Sequence, residues 1–297
     1  MTATEKNSRP STVLITGGTD GLGRAAAIVL AQEGYRVFAA GRSAERRASL
    51  DELARKDNLP LESVEMDVAD DVSVARAVAR VEKRGGPIDI LVNNAGVGYI
   101  AVMEEVRMED LRRQFEINFF GAVRLIQAVL PGMRERRRGR IINMSSLSGK
   151  VAIPLFGPYS SSKFALEAMS DALRLELHPF GVEVVLIEPG YIPTNFQNSS
   201  IELSSAYAAG AEKSPYAAVY SGFRRTWKKS TRSKGAARTT PEDCARVILR
   251  ALRDTPPRAR YIVTRSARIG ILAKRLLPDR IFERQLLRTF GLQRKKE

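Results

Sequence analysis

What this sequence has least of narrows its chemistry first. Its 297 residues include one cysteine, Cys244, one histidine, His178, and one tryptophan, Trp227. A single cysteine excludes an internal disulfide and a thiolate zinc site, so nothing asks for an oxidising compartment. A single histidine removes Ser–His–Asp relays and histidine-cluster metal sites from consideration, and no metal is expected. His178 reads as a residue at a helix end facing the dipole, and Cys244 as packing. No apolar run reaches the roughly 18 residues of a spanning helix. Residues 1–10 lack the apolar stretch of a signal peptide, and a cytoplasmic location is the expectation.

Acidic residues are scarce in only one part of the chain. Residues 1–221 hold 26 Lys/Arg against 27 Asp/Glu, whereas residues 222–297 hold 22 against 6. The formal net charge of +15 therefore belongs to the last quarter. Such an asymmetry suits an anionic surface as partner, or else a solvated helix face. No nucleic-acid motif accompanies the charge, and nucleic acid is not an expected partner.

Residues 12–190 alternate short apolar runs with helical stretches. The runs are 13–16, 37–40, 61–66, 88–92, 140–144 and 182–187, rich in Val, Ile and Leu on consecutive positions, as strands covered on both faces are. Helices are expected over 21–33, 44–56, 72–83, 108–138 and 158–177. This alternation predicts a single Rossmann-type, doubly wound parallel α/β sheet of about seven strands. A hydroxyl, a proline and two acids at 240–243 open a further helix, and 261–263 reads as a last strand. The expected organisation is a flexible 1–10, a main α/β domain over 11–264 with a helical insertion near 195–238, and a basic helical extension over 265–297.

Two segments about 140 residues apart carry the chemistry. Thr16-Gly17-Gly18-Thr19-Asp20-Gly21-Leu22-Gly23 joins the first strand to the first helix. A glycine-rich turn there lets backbone N–H groups approach phosphates, with the positive end of a helix dipole behind them. Tyr159 and Lys163, at i and i+4, share one helix face. The cation favours the phenolate and is expected to lower a pKa ordinarily near 10. Ser146, thirteen positions before the tyrosine, can donate to a developing alkoxide, with Ser145 as the rival hydroxyl. Asn118 lies within an apolar helical stretch, where asparagine is otherwise unfavourable.

Taken in order, these segments resemble the short-chain dehydrogenase/reductase family, well over 12–194 and loosely over 239–263. The stretches 157–168 and 187–190 are similar to its hydroxysteroid and retinol dehydrogenase branch. The resemblance implies an NAD(P)-dependent oxidoreductase that moves a hydride between a nicotinamide and an alcohol or ketone. Tyr159 would be the general acid/base, Ser146 the oxygen's partner, Lys163 the tuner of the tyrosine and holder of the nicotinamide ribose, and Asn118 the holder of a water. It assigns the rest of the cofactor to Gly17, Thr19, Asp20, Gly21, Leu22 and Gly23, to Asp67 and Val68, to Asn94, Ala95 and Gly96, and to Pro189, Gly190, Ile192 and Thr194. A homo-oligomer, dimer or tetramer, is implied as well.

With no acid in Ala40-Gly41-Arg42-Ser43, where NAD-dependent members carry one, Arg42 favours NADP(H). Asp20 stands where some NADP-using members are basic, which keeps NAD(H) as the alternative. Leu147, Val151, Ile153, Leu155, Phe156, Tyr191 and Phe196 suggest a lipophilic substrate, steroid-, retinoid- or lipid-like. A non-catalytic dinucleotide sensor is the other reading, though it has no need of Asn118, Ser146, Tyr159 and Lys163 together. In the extension, Ile269, Ile271, Leu272, Leu276, Leu277, Ile281, Phe282, Leu286, Leu287, Phe290 and Leu292 recur at roughly helical spacing among arginines and Lys274. That face either packs on the protein or lies peripherally on a membrane.

Overall fold

The computed structural model describes residues 10–232 and 239–293. The stretch 1–10 expected to be flexible lies, apart from Pro10, outside the described residues, as do the ends of the insertion and of the extension. Chain order begins β1 (Thr12–Thr16), α1 (Gly21–Gln32), β2 (Arg36–Gly41), α2 (Ala44–Lys56), β3 (Leu61–Glu65), α3 (Asp71–Gly85) and β4 (Ile88–Asn93). It continues through α4 (Met108–Phe115), a π-helical turn over Glu116–Phe120, α5 (Gly121–Glu135), β5 (Gly139–Met144), α6 (Gly157–Leu177) and β6 (Val182–Glu188). Three helices follow, α7 (Asn195–Leu203), α8 (Ser205–Gly210) and α9 (Ala217–Arg232). Then come α10 (Pro241–Arg253), β7 (Arg260–Ile262), α11 (Arg265–Leu276) and α12 (Asp279–Phe290).

All seven strands run parallel in the order β3-β2-β1-β4-β5-β6-β7. Successive side chains of a strand point to opposite faces, and both faces are covered. Val13 and Ile15 of β1 enter an apolar layer with α1, α2 and α10, while Leu14 enters the other with α3 and α5. Every residue of β1 is buried, which is why the strands read as unbroken apolar runs. Thr240 caps α10 reciprocally with Asp243: its hydroxyl accepts from the Asp243 N–H at 3.2 Å, and its own N–H donates to that carboxylate at 2.9 Å.

Strand order reverses direction between β1 and β4. Ligands of such sheets bind in the crevice that this switch opens at the carboxyl ends of the strands. The β1–α1 turn, the end of β4, the loop after β5 and the loop after β6 all converge there.

The expected single helix over 108–138 is not what forms. It is divided by the π turn at Glu116–Phe120 and ends at Glu135. Asn118 gives the reason: its Oδ1 accepts from the Val97 N–H at 2.8 Å and its Nδ2 donates to the Val97 carbonyl at 2.9 Å. Those two bonds hold the turn against the chain leaving β4, and π bulges of this kind gather at functional sites. Among the described residues no helix is long and apolar enough to cross a membrane.

Candidate active site

The glycine turn after β1 is built from close backbone approaches. Gly17 and Gly21 have φ of +61° and +51°, a region costly for side-chain-bearing residues. A Cβ on Gly23 would overlap the Gly17 carbonyl and the Asn94 amide. Asn94 Nδ2 donates to the carbonyls of Thr16 at 3.0 Å and Gly17 at 3.1 Å. The Thr16 hydroxyl accepts from the N–H groups of Asn94 and Ala95 at 2.9 and 3.0 Å. The cradle that a side chain would fill, at the N-terminus of α1, fits a pyrophosphate.

Asp20 is fully engaged. Its carboxylate caps α1 through the Gly21 N–H at 2.8 Å, accepts from Asn195 Nδ2 at 3.0 Å and pairs with Arg46 at 2.8 Å. At the end of β2, a Cβ on Gly41 would overlap the Thr19 hydroxyl, so the acid of NAD-binding relatives has no room there as the turn stands. Arg42, exposed, reaches Asp67 at 3.7 Å across the crevice. Asp67 does not cap α3, a role taken by Asp70; its Oδ1 accepts from the Ala69 N–H at 3.0 Å. Val68 is buried against Gly121. Arg46 and Arg47 stand beside Arg42 in the first turn of α2, a cluster that attention to Arg42 alone overlooks.

On the far side of the crevice lie Pro189, Gly190, Ile192 and Thr194. The Pro189 carbonyl accepts from the Leu147 N–H at 2.8 Å, and Ile192 is buried with its carbonyl taken by Gln197 Nε2 at 2.8 Å. Thr194 caps α7, and its side chain faces Gly21. Gly96 lies against the Asn118 side chain. The structure thus brings the residues of the glycine turn and those after β4 and β6 to one crevice.

Tyr159 and Lys163 project from the first two turns of α6. The Ser146 hydroxyl lies beside the Tyr159 phenol, where it favours the ionised form. Ser145 turns away towards Gly149, so the structure distinguishes the two serines. Lys163 is buried, and its Nζ donates to the Met144 carbonyl at 2.7 Å while lying 5.7 Å from the centre of the Tyr159 ring. Burial lowers the Lys163 ammonium to about 8, opposed by the charge of Glu167 one turn on. The expectation that Lys163 lowers the tyrosine is not met in this arrangement. Burial pushes Tyr159 up to about 12, and only the Ser146 hydroxyl acts to lower it. The lysine is aimed past the phenol at the backbone of β5.

Asn118 does not reach Lys163. Beyond its two bonds to Val97, its Nδ2 donates to the Ser162 hydroxyl at 3.2 Å. Between Asn118 and Lys163 lies a cavity of about 10 Å³, walled also by Thr16 and Asn93. That is close to the space one water's centre needs, and the wall offers it polar partners.

Around Tyr159 the surroundings are aromatic. Phe156 and Phe196 have ring centres 6.0 and 5.6 Å from it. Phe156 in turn meets Phe223 at 5.6 Å and Trp227 at 6.3 Å, and Tyr191 meets Trp227 at 5.4 Å. Val151 and Leu155 are buried in the loop below, and Leu155 has a φ of +68°, strained for a bulky residue. Phe223 and Trp227 of α9 were not signalled by any motif; only the structure brings that helix to Tyr159. The lone Cys244 is wholly buried on α10, and burial raises its thiol to about 12, which leaves it unreactive packing. Among the described residues no cluster of metal ligands occurs.

The family model of short chain dehydrogenases matches residues 11–203. A 3-ketodihydrosphingosine reductase of Bacteroides thetaiotaomicron is 38% identical over 191 residues, 64% of this chain and 67% of that one. Retinol dehydrogenase 8 of Bos taurus is 34% identical over 263 residues, 86% of this chain and 82% of that one. Among solved structures, a variant of actinorhodin polyketide ketoreductase with NADPH superposes with a TM-score of 0.74 at 29% identity, covering 88% of this chain and 97% of that one.

The packing of the glycine turn yields a first prediction. Gly23→Ala forces the Gly17 carbonyl or Asn94 to move, so nicotinamide dinucleotide affinity should fall at least about tenfold, as expected when backbone donors lose their alignment. Fluorescence titration with the reduced cofactor measures it, and an unchanged affinity would show that the turn does not hold the dinucleotide.

Proposed function

The chain belongs to the short-chain dehydrogenase family, and from that premise we propose that it interconverts a lipophilic alcohol and its carbonyl compound with Tyr159 as the proton-transfer group. As an oxidoreductase of that family it acts on CH–OH or C=O groups with NAD(P). One observation supports the finer reading: the Tyr159 phenol stands beside Ser146 among the rings of Phe156 and Phe196. A dinucleotide sensor would have no use for that phenol.

In this reading the glycine turn, Asn94–Gly96 and Pro189–Thr194 hold the dinucleotide. The nicotinamide, when bound, supplies or accepts the hydride. Tyr159 donates its proton to the carbonyl oxygen in reduction and takes it back in oxidation, since a group held at about 12 is fully protonated near neutrality. Ser146 shares that oxygen as a second donor, steadying negative charge as it develops. Lys163 lies beneath the ring with its Nζ on the Met144 carbonyl, and its charge would serve the nicotinamide ribose rather than lower Tyr159. The cavity between Asn118 and Lys163 has the size and polar wall for a water that would return protons to this pair.

The aromatic surroundings of Tyr159, and relatives named for retinol and for a sphingoid ketone, support a lipophilic substrate. NADP(H) is the cofactor we favour over NAD(H). Arg42, Arg46 and Arg47 follow directly on β2, paired with Asp67, Asp20 and Glu65 respectively, and Gly41 leaves no room there for an acid. Asp20, bound to Arg46, brings that arginine towards the turn. As further parts of the same proposal, the chain assembles with copies of itself, for which exposed Phe120 and Phe164 offer apolar surface. It also touches a membrane peripherally through its basic C-terminal helices.

Tyr159→Phe keeps the ring and removes the transferable proton. Carbonyl reduction should fall by ~10²–10⁴-fold while cofactor binding persists; near-normal turnover of lipophilic ketones in that variant would refute the assignment. The pH profile follows from Lys163, held at about 8. Below that pH the ammonium is charged, and as pH rises through it the charge is lost. Thus kcat/KM for reduction should be level near neutrality and decline above about pH 8; a profile that stays level far beyond this contradicts the role given to Lys163. Replacing Arg42 and Arg46 together by alanine should weaken NADPH binding about tenfold or more, as loss of charge-assisted phosphate bonds does. NADH binding should barely change, and equal losses for the two cofactors would overturn the NADP(H) preference.

A further inference from the structure

Helices α11 and α12 present an apolar stripe to solvent within a predominantly basic surface. Ile269, Leu272 and Leu276 stand at i, i+3 and i+7 of α11, hence on one face, and are 60, 55 and 68% exposed. Leu277 and Ile281 carry the stripe across the turn into α12. Residues 265–293 contain seven Arg or Lys against two acids, Asp279 and Glu283, and Asp279 is already paired with Lys274.

The opposite faces of these helices are occupied. Gly270 of α11 lies against Leu147, the neighbour of Ser146, and Ala267 lies against Gly190. Phe290 of α12 stacks on Phe223 with ring centres 6.4 Å apart. The inner surface of the pair therefore belongs to the aromatic cluster that reaches Tyr159, while Ile269, Leu272 and Leu276 lie outside it, each more than half exposed.

We propose that the outer face of α11 and α12 seats the protein on an anionic lipid bilayer, with the aromatic cluster beside Tyr159 turned towards the lipid surface. Interleaved arginines and aliphatic side chains match an interface of phosphate headgroups over acyl chains. A second copy of this chain fits less well, since joining two such surfaces would bring like charges together. A nucleic acid would satisfy the arginines but leave the aliphatic stripe in water. The inference deepens the proposed function, on which its substrate side rests, because a lipophilic substrate dissolved in a bilayer would reach the pocket from this direction. Docking itself requires no turnover.

Flotation of the full chain with vesicles tests it, without cofactor or substrate. Binding is expected to phosphatidylcholine vesicles containing phosphatidylglycerol, to be absent with phosphatidylcholine alone, and to weaken with salt. Two variants separate the contributions: Ile269→Ser with Leu272→Ser and Leu276→Ser, and Arg265→Gln with Arg268→Gln and Arg275→Gln. All six positions are exposed, and unchanged thermal unfolding would show that the fold is kept. Each triple variant should lose at least about tenfold in vesicle affinity. No flotation with anionic vesicles at low salt would overturn the proposal, as would undiminished binding by both variants. So would a dimer that the serine variant abolishes, which would give the stripe to a second copy. Vesicle binding without any carbonyl turnover would instead leave the docking intact and remove the proposed reaction.

Discussion

The site depends on how closely two stretches of backbone meet where β1 and β4 part. Asn94 reaches across that gap to the carbonyls of Thr16 and Gly17, and the Thr16 hydroxyl receives two N–H groups in return. Each such bond adds only about 1 kcal/mol net, but together they hold the chain leaving β4 against the turn entering α1. Gly23 closes the third side, at a distance only a residue without Cβ allows. A parallel sheet supplies the switch point as a matter of topology; these contacts turn it into a cradle of defined depth.

The reacting side is set by a different constraint, the docking of α6 on the sheet. Lys163 spends one N–H on the Met144 carbonyl at the end of β5, which fixes the height of the helix and therefore of Tyr159 above it. One turn on, buried Glu167 accepts from Lys150 at 2.6 Å and from Arg260 at 3.0 Å. The same helix is thereby tied to the loop that carries Ser146 and to β7. Burial makes these charges strong and also costly. It lowers Lys163 and raises Tyr159, which leaves the phenol a weak acid whose proton moves only when a partner is placed to receive it.

Much of this was readable from residue order alone, for physical reasons. Strands buried on both faces announce themselves as apolar runs, and the seven-stranded parallel sheet matches the expected architecture, including the short last strand at Arg260–Ile262. The glycine turn was readable because its residues are dictated by backbone geometry rather than by packing. Asn118 stood out as a polar residue in an apolar stretch, yet its π turn did not, since no local pattern distinguishes a π turn from the helix around it. That Ser146 stands by Tyr159 is what the family resemblance implies, whereas the aim of Lys163 at Met144 follows from how α6 docks on β5 and leaves no mark on the sequence. Phe223 and Trp227 were invisible as pocket residues because contacts between α9 and the loop before α6 span some 70 residues of chain. Nor could sequence show that Gly41 is crowded by Thr19, a constraint set by two turns folded together.

The central claim is that this crevice brings a hydride carrier and a lipophilic carbonyl carbon together above Tyr159. Its most direct test is isotopic. The protein is incubated with NADPH deuterated at the transferable position of the nicotinamide and with lipophilic carbonyl compounds such as a ketosteroid, a retinoid aldehyde or a long-chain 3-keto amine. Mass spectrometry then locates the label in the alcohol formed. One deuterium on the carbinol carbon, from one face of the nicotinamide only, is the predicted result. Alcohol formed without label, or no alcohol from any lipophilic carbonyl with either reduced cofactor, would contradict the account.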